Sequence, residues 1–236
     1  MVTPQITPSH LDVTIPTPEV ELPGILSIPS DPVGVVVFAH GSGSSKRSPR
    51  NRAVAEVLNE SRIATVLFDL LTPQEDANYQ NRFNIELLTW RLVRAVEWLQ
   101  DSPIVPHLPI GLFGASTGAA AALRASTLLG STVTAVVSRG GRPDLAGDTL
   151  PSVTAPSLFI VGGNDRDVEE LNRRAKDLMR CECQISIVPG ASHLFEEGRS
   201  LDTVAALAAG WFLRYFQQRR EIDRGRREPH APPPTH

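Results

Sequence analysis

Residues 111–120 read GLFGASTGAA: an apolar run stops, Gly114, Ser116 and Gly118 alternate with other small residues, and an alanine-rich run begins. Glycine is unfavourable inside strands and helices, so this alternation predicts a turn too tight for ordinary side chains. Between a strand and a helix, the turn fits the pattern Gly-x-Ser-x-Gly, which stands the serine exposed at its apex. Partial positive charge at the helix N-terminus behind it favours a developing anion. A plainer reading, a tight turn with a capping serine, rests on the preference of serine for N-caps. The flanking sequence decides between the two.

Before the turn, GVVVFAH (34–40), IATVLFD (63–69) and PIGLFG (109–114) are continuous apolar runs, the mark of strands buried on both faces of a parallel sheet. VTAVVS (133–138), PSLFIVG (156–162) and CQISIVP (183–189) follow in the same style. Helices are predicted near 52–59, 84–100, 168–179 and 201–217. The second of these carries Ile85, Leu88, Leu92, Val96 and Leu99 at helical spacing. DVTIP (12–16) and VELPGILSIP (20–29) read as two short strands at a sheet edge, their ends marked by proline. Strands alternating with helices give a mostly parallel sheet of about eight strands covered on both faces. The expected organisation is one α/β domain over residues 1–218 and a disordered, charged and proline-rich tail over 219–236.

Composition bounds the function. The chain has 236 residues, 41% hydrophobic and 21% charged, with a net charge of −3. That balance carries a full core and no electrostatic footprint for nucleic acid or an anionic membrane. Cys181 and Cys183 are the only cysteines, two apart in an expected strand, so they point to opposite faces and offer neither a disulfide nor a metal site. Reduced thiols, an N-terminus without a signal-like apolar stretch and the lack of any spanning apolar run lead to an expected cytoplasmic location.

Sheets of this kind bind ligands beyond the carboxyl ends of their strands. A serine nucleophile there needs a base, and the base an orienting acid. Of six histidines, His193 alone follows the last strand, in VPGASHLFEE (188–197), at the rim that holds Ser116. IVGGNDRDV (160–168) supplies Asp165 between them. Asp167 is the nearest competitor, explained as a helix cap, and Asp144 a weaker one. The oxyanion donors are expected to be the backbone amides of Thr117, just after the serine, and Ser42, in FAHGSGSSK (38–46). The latter loop also looks like a phosphate-binding turn, but the glycines of the nucleotide-binding fingerprints are missing around Lys46.

Taken together, FAHGSGSS, GLFGASTG, IVGGNDRDV and VPGASHLFEE resemble an α/β-hydrolase from about Val13 to Phe216. The chain is most similar to the small, single-domain, dienelactone hydrolase-like branch. The resemblance implies Ser116, Asp165 and His193 as triad and the Ser42 and Thr117 amides as oxyanion hole. It implies no cofactor and no metal. Dienelactone hydrolases proper carry cysteine at the elbow, and Ser116 in its place favours general ester hydrolysis over the lactone. Proteins of this look also occur joined to phosphoribosyltransferase domains, and nothing in this chain reads as one.

The stretch from Arg139 to Pro156 is too short for a packed lid, so an open site roofed by loops is expected. Apolar Leu70 and Leu71 and the stretch 72–83 are expected to form one wall, and residues 138–144 another. SRGGRPD (138–144) brings Arg139 and Arg142 to the rim, either as a clamp on an anionic substrate or as braces of their own loop through Asp144. The expected partner is a small ester, and the expected activity is carboxylic-ester or lactone hydrolysis through an acyl-enzyme on Ser116. An idle binding domain of the same fold is the alternative.

Overall fold

The computed structural model describes residues 8–105 and 107–227. Eight strands form one sheet in the order β1-β2-β4-β3-β5-β6-β7-β8. β1 (Ser9–Pro16) and β2 (Glu21–Ile28) make an antiparallel hairpin, and β2 joins β4 (Ile63–Phe68) antiparallel. β3 (Gly34–Ala39), β5 (Ile110–Ala115), β6 (Val133–Arg139), β7 (Ser157–Gly162) and β8 (Cys183–Val188) complete the sheet in parallel. Every residue of β3, β4, β5 and β7 is buried, as expected where both faces are covered.

One face lies under α1 (Pro49–Glu60) and α6 (Ser200–Arg227), the other under α3 (Ile85–Asp101), α4 (Thr117–Leu129) and α5 (Arg166–Leu178). A short helix, α2 (Pro73–Asp76), and 3₁₀ turns at Tyr79–Phe83 and Pro143–Ser152 occupy the connections. α1 starts at Pro49 because proline lacks the N–H a first turn cannot use, and the Ser48 hydroxyl accepts from the Asn51 amide at 3.3 Å. α6 buries Val204, Ala205, Ala208, Ala209, Phe212 and Phe216, a stripe at helical spacing against β6 and α1.

The sequence-based boundaries agree with the strands to within a residue or two, except that β1 begins at Ser9. They fall short at the far end, because α6 continues through Arg227, past the expected domain limit at 218. Arginine, glutamine and glutamate are good helix formers, so a charged surface composition reads as a tail while still propagating a helix that its apolar half has nucleated. The remainder of that expected tail, 228–236, lies outside the described residues. No helix among the described residues is long and apolar enough to cross a membrane.

Candidate active site

The elbow sits between β5 and α4. Ser116 has φ +51° and ψ −121°, a conformation ordinary residues rarely adopt. Its backbone is pinned from the neighbouring β6 segment. The Ser116 N–H donates to the Arg139 carbonyl at 3.2 Å, and the Ser116 carbonyl accepts from the amides of Ala119 and Arg142, each at 3.1 Å. Gly118 is required by close approach: a Cβ there would fall on the Ala39 carbonyl oxygen and lie 2.6 Å from that of His40. This contact brings the N-terminus of α4 hard against the end of β3. Ser116 is partly exposed while Thr117 behind it is buried. As the first residue of α4, Thr117 has an amide with no intrahelical acceptor, one of the free N–H groups that make up the positive end of the helix dipole.

Ser42 lies in a turn closed by the Ser44 amide donating to the Gly41 carbonyl at 3.1 Å, with Gly43 at φ +68°. Two side chains fix this loop, and sequence reading gave them no role. His40 is buried; its Nδ1–H donates to the Gly41 carbonyl at 2.9 Å, and Nε2 accepts from the Leu70 amide at 3.0 Å. Acceptance at Nε2 requires the neutral ring. Burial pushes the His40 pKa down, against smaller upward effects of the Gly41 bond and the Asp69 and Asp76 charges. Asp69 Oδ1 accepts from the Lys46 amide at 2.7 Å. The signal was present in the sequence as a polar residue at the end of each buried strand.

His193 and Asp165 meet directly. Nδ1–H of His193 donates to Asp165 Oδ2 at 2.6 Å, with the carboxylate largely buried and the ring about two-fifths exposed. Asp165 is itself the N-cap of α5, yet its side chain makes no capping bond, being turned toward the histidine. Asp167, expected to be the cap, lies exposed in the first turn. Backbone bonds lock the two loops together, Gly163 N–H to Val188 O and Asn164 N–H to Ala191 O, both at 2.9 Å. The His193 loop reaches the β6 end, where a Cβ on Gly140 would lie 3.0 Å from the His193 carbonyl and 3.6 Å from its ring Cε1. Ser116 hydrogen-bonds to that same end through Arg139 and Arg142.

The expected substrate-binding residues are distributed differently. Leu70 and Leu71 are buried in the core beneath α3 and do not form an open wall. The reason is that the β4 end continues inward, with the Leu70 amide tied to His40. Arg142 is forked onto Asp144, Nε to Oδ1 and Nη2 to Oδ2, both at 2.8 Å. Arg139 is not on the rim at all; only 7% of its surface is exposed. Its side chain continues the two-residue alternation of Ala135 and Val137 and so turns onto the face under α1.

A sequence profile of the dienelactone hydrolase family matches residues 24–218. The chain belongs to that family. A crystal structure of dienelactone hydrolase from Anabaena variabilis is 50% identical, covers 89% of this chain and 99% of its own, and superposes with a TM-score of 0.86. Est1E from Butyrivibrio proteoclasticus, 16% identical with 87% and 99% coverage and a TM-score of 0.75, shares the fold. The family is one of hydrolases on the α/β-hydrolase fold, in agreement with the eight-stranded sheet. Two Mycobacterium tuberculosis proteins named "Putative phosphoribosyl transferase" are 55% identical over 202 residues, 86% of this chain. The chain spans 46% of those curated relatives.

Proposed function

We propose that the protein hydrolyses small carboxylic esters or lactones through an acyl-enzyme on Ser116, with His193 as base and Asp165 as its orienting acid. The observation that carries this reading is the left-handed Ser116 at the N-terminus of α4, on the same rim as a histidine whose Nδ1–H is held 2.6 Å from Asp165. That bond fixes the tautomer and leaves Nε2 as the acceptor. Ser116 Oγ attacks the acyl carbon as its proton passes to Nε2. The carbonyl π electrons move onto oxygen, and the resulting oxyanion is met by the Thr117 and Ser42 amides. Collapse breaks the ester bond, and the leaving alcohol takes the proton from Nε2. Water, deprotonated by the same nitrogen, then releases the acid by the reverse route.

The M. tuberculosis name refers to chains nearly twice this length, and the hydrolase family match accounts for most of the segment shared with them. The test is a fluorophosphonate probe followed by peptide mass spectrometry. The expected result is one adduct, on Ser116, absent from Ser116→Ala. An unlabelled wild-type chain that also fails to turn over activated short-chain esters would mean an idle site.

A further inference from the structure

Arginines near the site are mostly neutralised: Arg82 by Asp76, Arg91 by Glu75 and Arg142 by Asp144. Arg139 is different. Among the described residues no carboxylate lies within ion-pair distance of it. Its single hydrogen bond is a long one, 3.5 Å from Nη2 to Asn51 Oδ1, and its Nε and Nη1 are buried without a partner. The neighbouring charge is Arg50, another cation, whose Nε is likewise buried and unpartnered. Burial first and Arg50 second lower the Arg139 pKa to about 10, so the group remains charged at neutral pH. A buried cation beside a like charge is among the costliest arrangements a protein interior can hold. An anion between the two would remove that cost.

The place is adjacent to the elbow. Arg139 pairs in register with Ala115, and its carbonyl takes the Ser116 N–H. Its guanidinium points to the first turn of α1, a twelve-residue helix in which Pro49 has no N–H and the Arg50 amide precedes the first intrahelical bond. The helix dipole adds positive potential at that point. Arg50 is also the accessible member of the pair. Its Nη1 is bound to Glu196 Oε1 at 2.6 Å, and Glu196, three residues past His193, is mostly solvent-exposed.

We propose that Arg139, Arg50 and the first turn of α1 form a pocket for a compact oxyanion, a carboxylate or phosphate group carried by the substrate, and that Glu196 holds the entrance until that group displaces it. That the oxyanion belongs to the substrate rests on the ester-hydrolase reading; that the pocket takes an oxyanion does not.

The experiment is calorimetric titration of the whole chain with inorganic phosphate and, separately, with succinate, at fixed ionic strength. At least one anion should bind saturably, which also distinguishes a phosphate-bearing from a carboxylate-bearing ligand. Arg139→Met should weaken binding about tenfold or more and Arg50→Met about threefold, while Glu196→Gln should tighten it by about threefold, the sizes expected of charge-assisted hydrogen bonds gained or lost. In turnover, the kcat/KM ratio of 4-nitrophenyl hydrogen succinate to 4-nitrophenyl butyrate should fall about tenfold in Arg139→Met. Should that variant fail to fold, the opposite signs of Arg50→Met and Glu196→Gln carry the test. Anion binding that depends on Arg50 and Arg139 in a chain that cleaves no ester would retain the pocket and sink the ester reading. Ester turnover with no anion heat, or with heats unchanged across the three variants, would overturn the pocket.

Discussion

Two turns lie side by side at the carboxyl end of the sheet, Gly114–Gly118 at the end of β5 and Ser138–Arg142 at the end of β6, joined by backbone bonds through Ser116. The first is shaped by its own backbone. Small residues permit a left-handed serine and a close crossing with β3, so its geometry follows from residues adjacent in sequence. The second is shaped by what its side chains meet. Arg139 and Arg142 are three residues apart and chemically identical, yet one is buried under α1 and the other forked onto Asp144 at the surface. A turn can be read locally; the destination of a long side chain depends on partners distant in sequence.

If the first turn is the chemical one, its disruption should produce the largest effects. Ser116→Ala and His193→Ala should each lower kcat/KM for a short-chain activated ester by roughly 10⁴-fold or more, with circular dichroism unchanged. Their double variant should lose little more than either alone. Near wild-type turnover in His193→Ala would remove the elbow from the chemistry. Next in size is Asp165→Asn, expected to cost on the order of 10³–10⁴ in kcat by favouring the wrong tautomer of His193. Exposed Asp167→Asn should change kcat less than about twofold. A reversal of that order would mean that the orienting acid is the exposed residue, against the 2.6 Å bond.

The structural side of the comparison has its own tests. Gly118→Ala forces a methyl into the Ala39 and His40 carbonyls and should destabilise the fold by about 3 kcal/mol in urea unfolding. A tolerated alanine would show that α4 and β3 need not approach so closely. His40 links the Ser42 loop to the end of β4, and its depressed pKa gives stability a pH dependence. The folded chain holds this ring neutral, whereas the unfolded chain protonates it below 6.5, its ordinary value. The stabilisation is therefore present above about pH 6.5 and is lost as pH falls toward the folded pKa, at no more than about 1.4 kcal/mol per pH unit from one site. His40→Gln, compared with wild type by melting temperature between pH 7 and 5, should show a shallower decline. An identical slope would mean that His40 does not titrate in that range. Smallest of all is Arg142→Ala. Its ion pair with Asp144 is about two-fifths exposed on the arginine side, so the cost should be about 0.5–1 kcal/mol. A loss of several kcal/mol would make the second turn as structurally demanding as the first.

The same contrast explains what was legible. The strand runs, the elbow and the positions of Ser116, Asp165 and His193 just past strand ends could be read because apolar periodicity and glycine spacing report backbone geometry directly. Leu70 and Leu71 were misplaced because two apolar residues after a strand read equally as a wall or as core, and only the His40–Leu70 bond decides. Arg139 followed the strand alternation of Ala135 and Val137, a signal that the expectation that charge belongs at the rim had overridden. The roles of His40 and Asp69 were hidden because they bind backbone amides 30 and 23 residues away.

The course of α6 has a practical consequence. The helix starts just past the His193 loop, and by Arg219 it has reached the opposite end of the sheet, where that side chain donates to the Ser131 carbonyl at 2.8 Å just before β6 begins. Twenty residues of helix place some 30 Å between those points. A fluorophore or a solid support attached through a cysteine at Glu221, an exposed position on its last turns, would therefore face away from the rim. Immobilised that way, the molecule presents Ser116 and His193 to the bulk solution, and single-molecule or flow measurements could follow substrate arrival without the surface intervening.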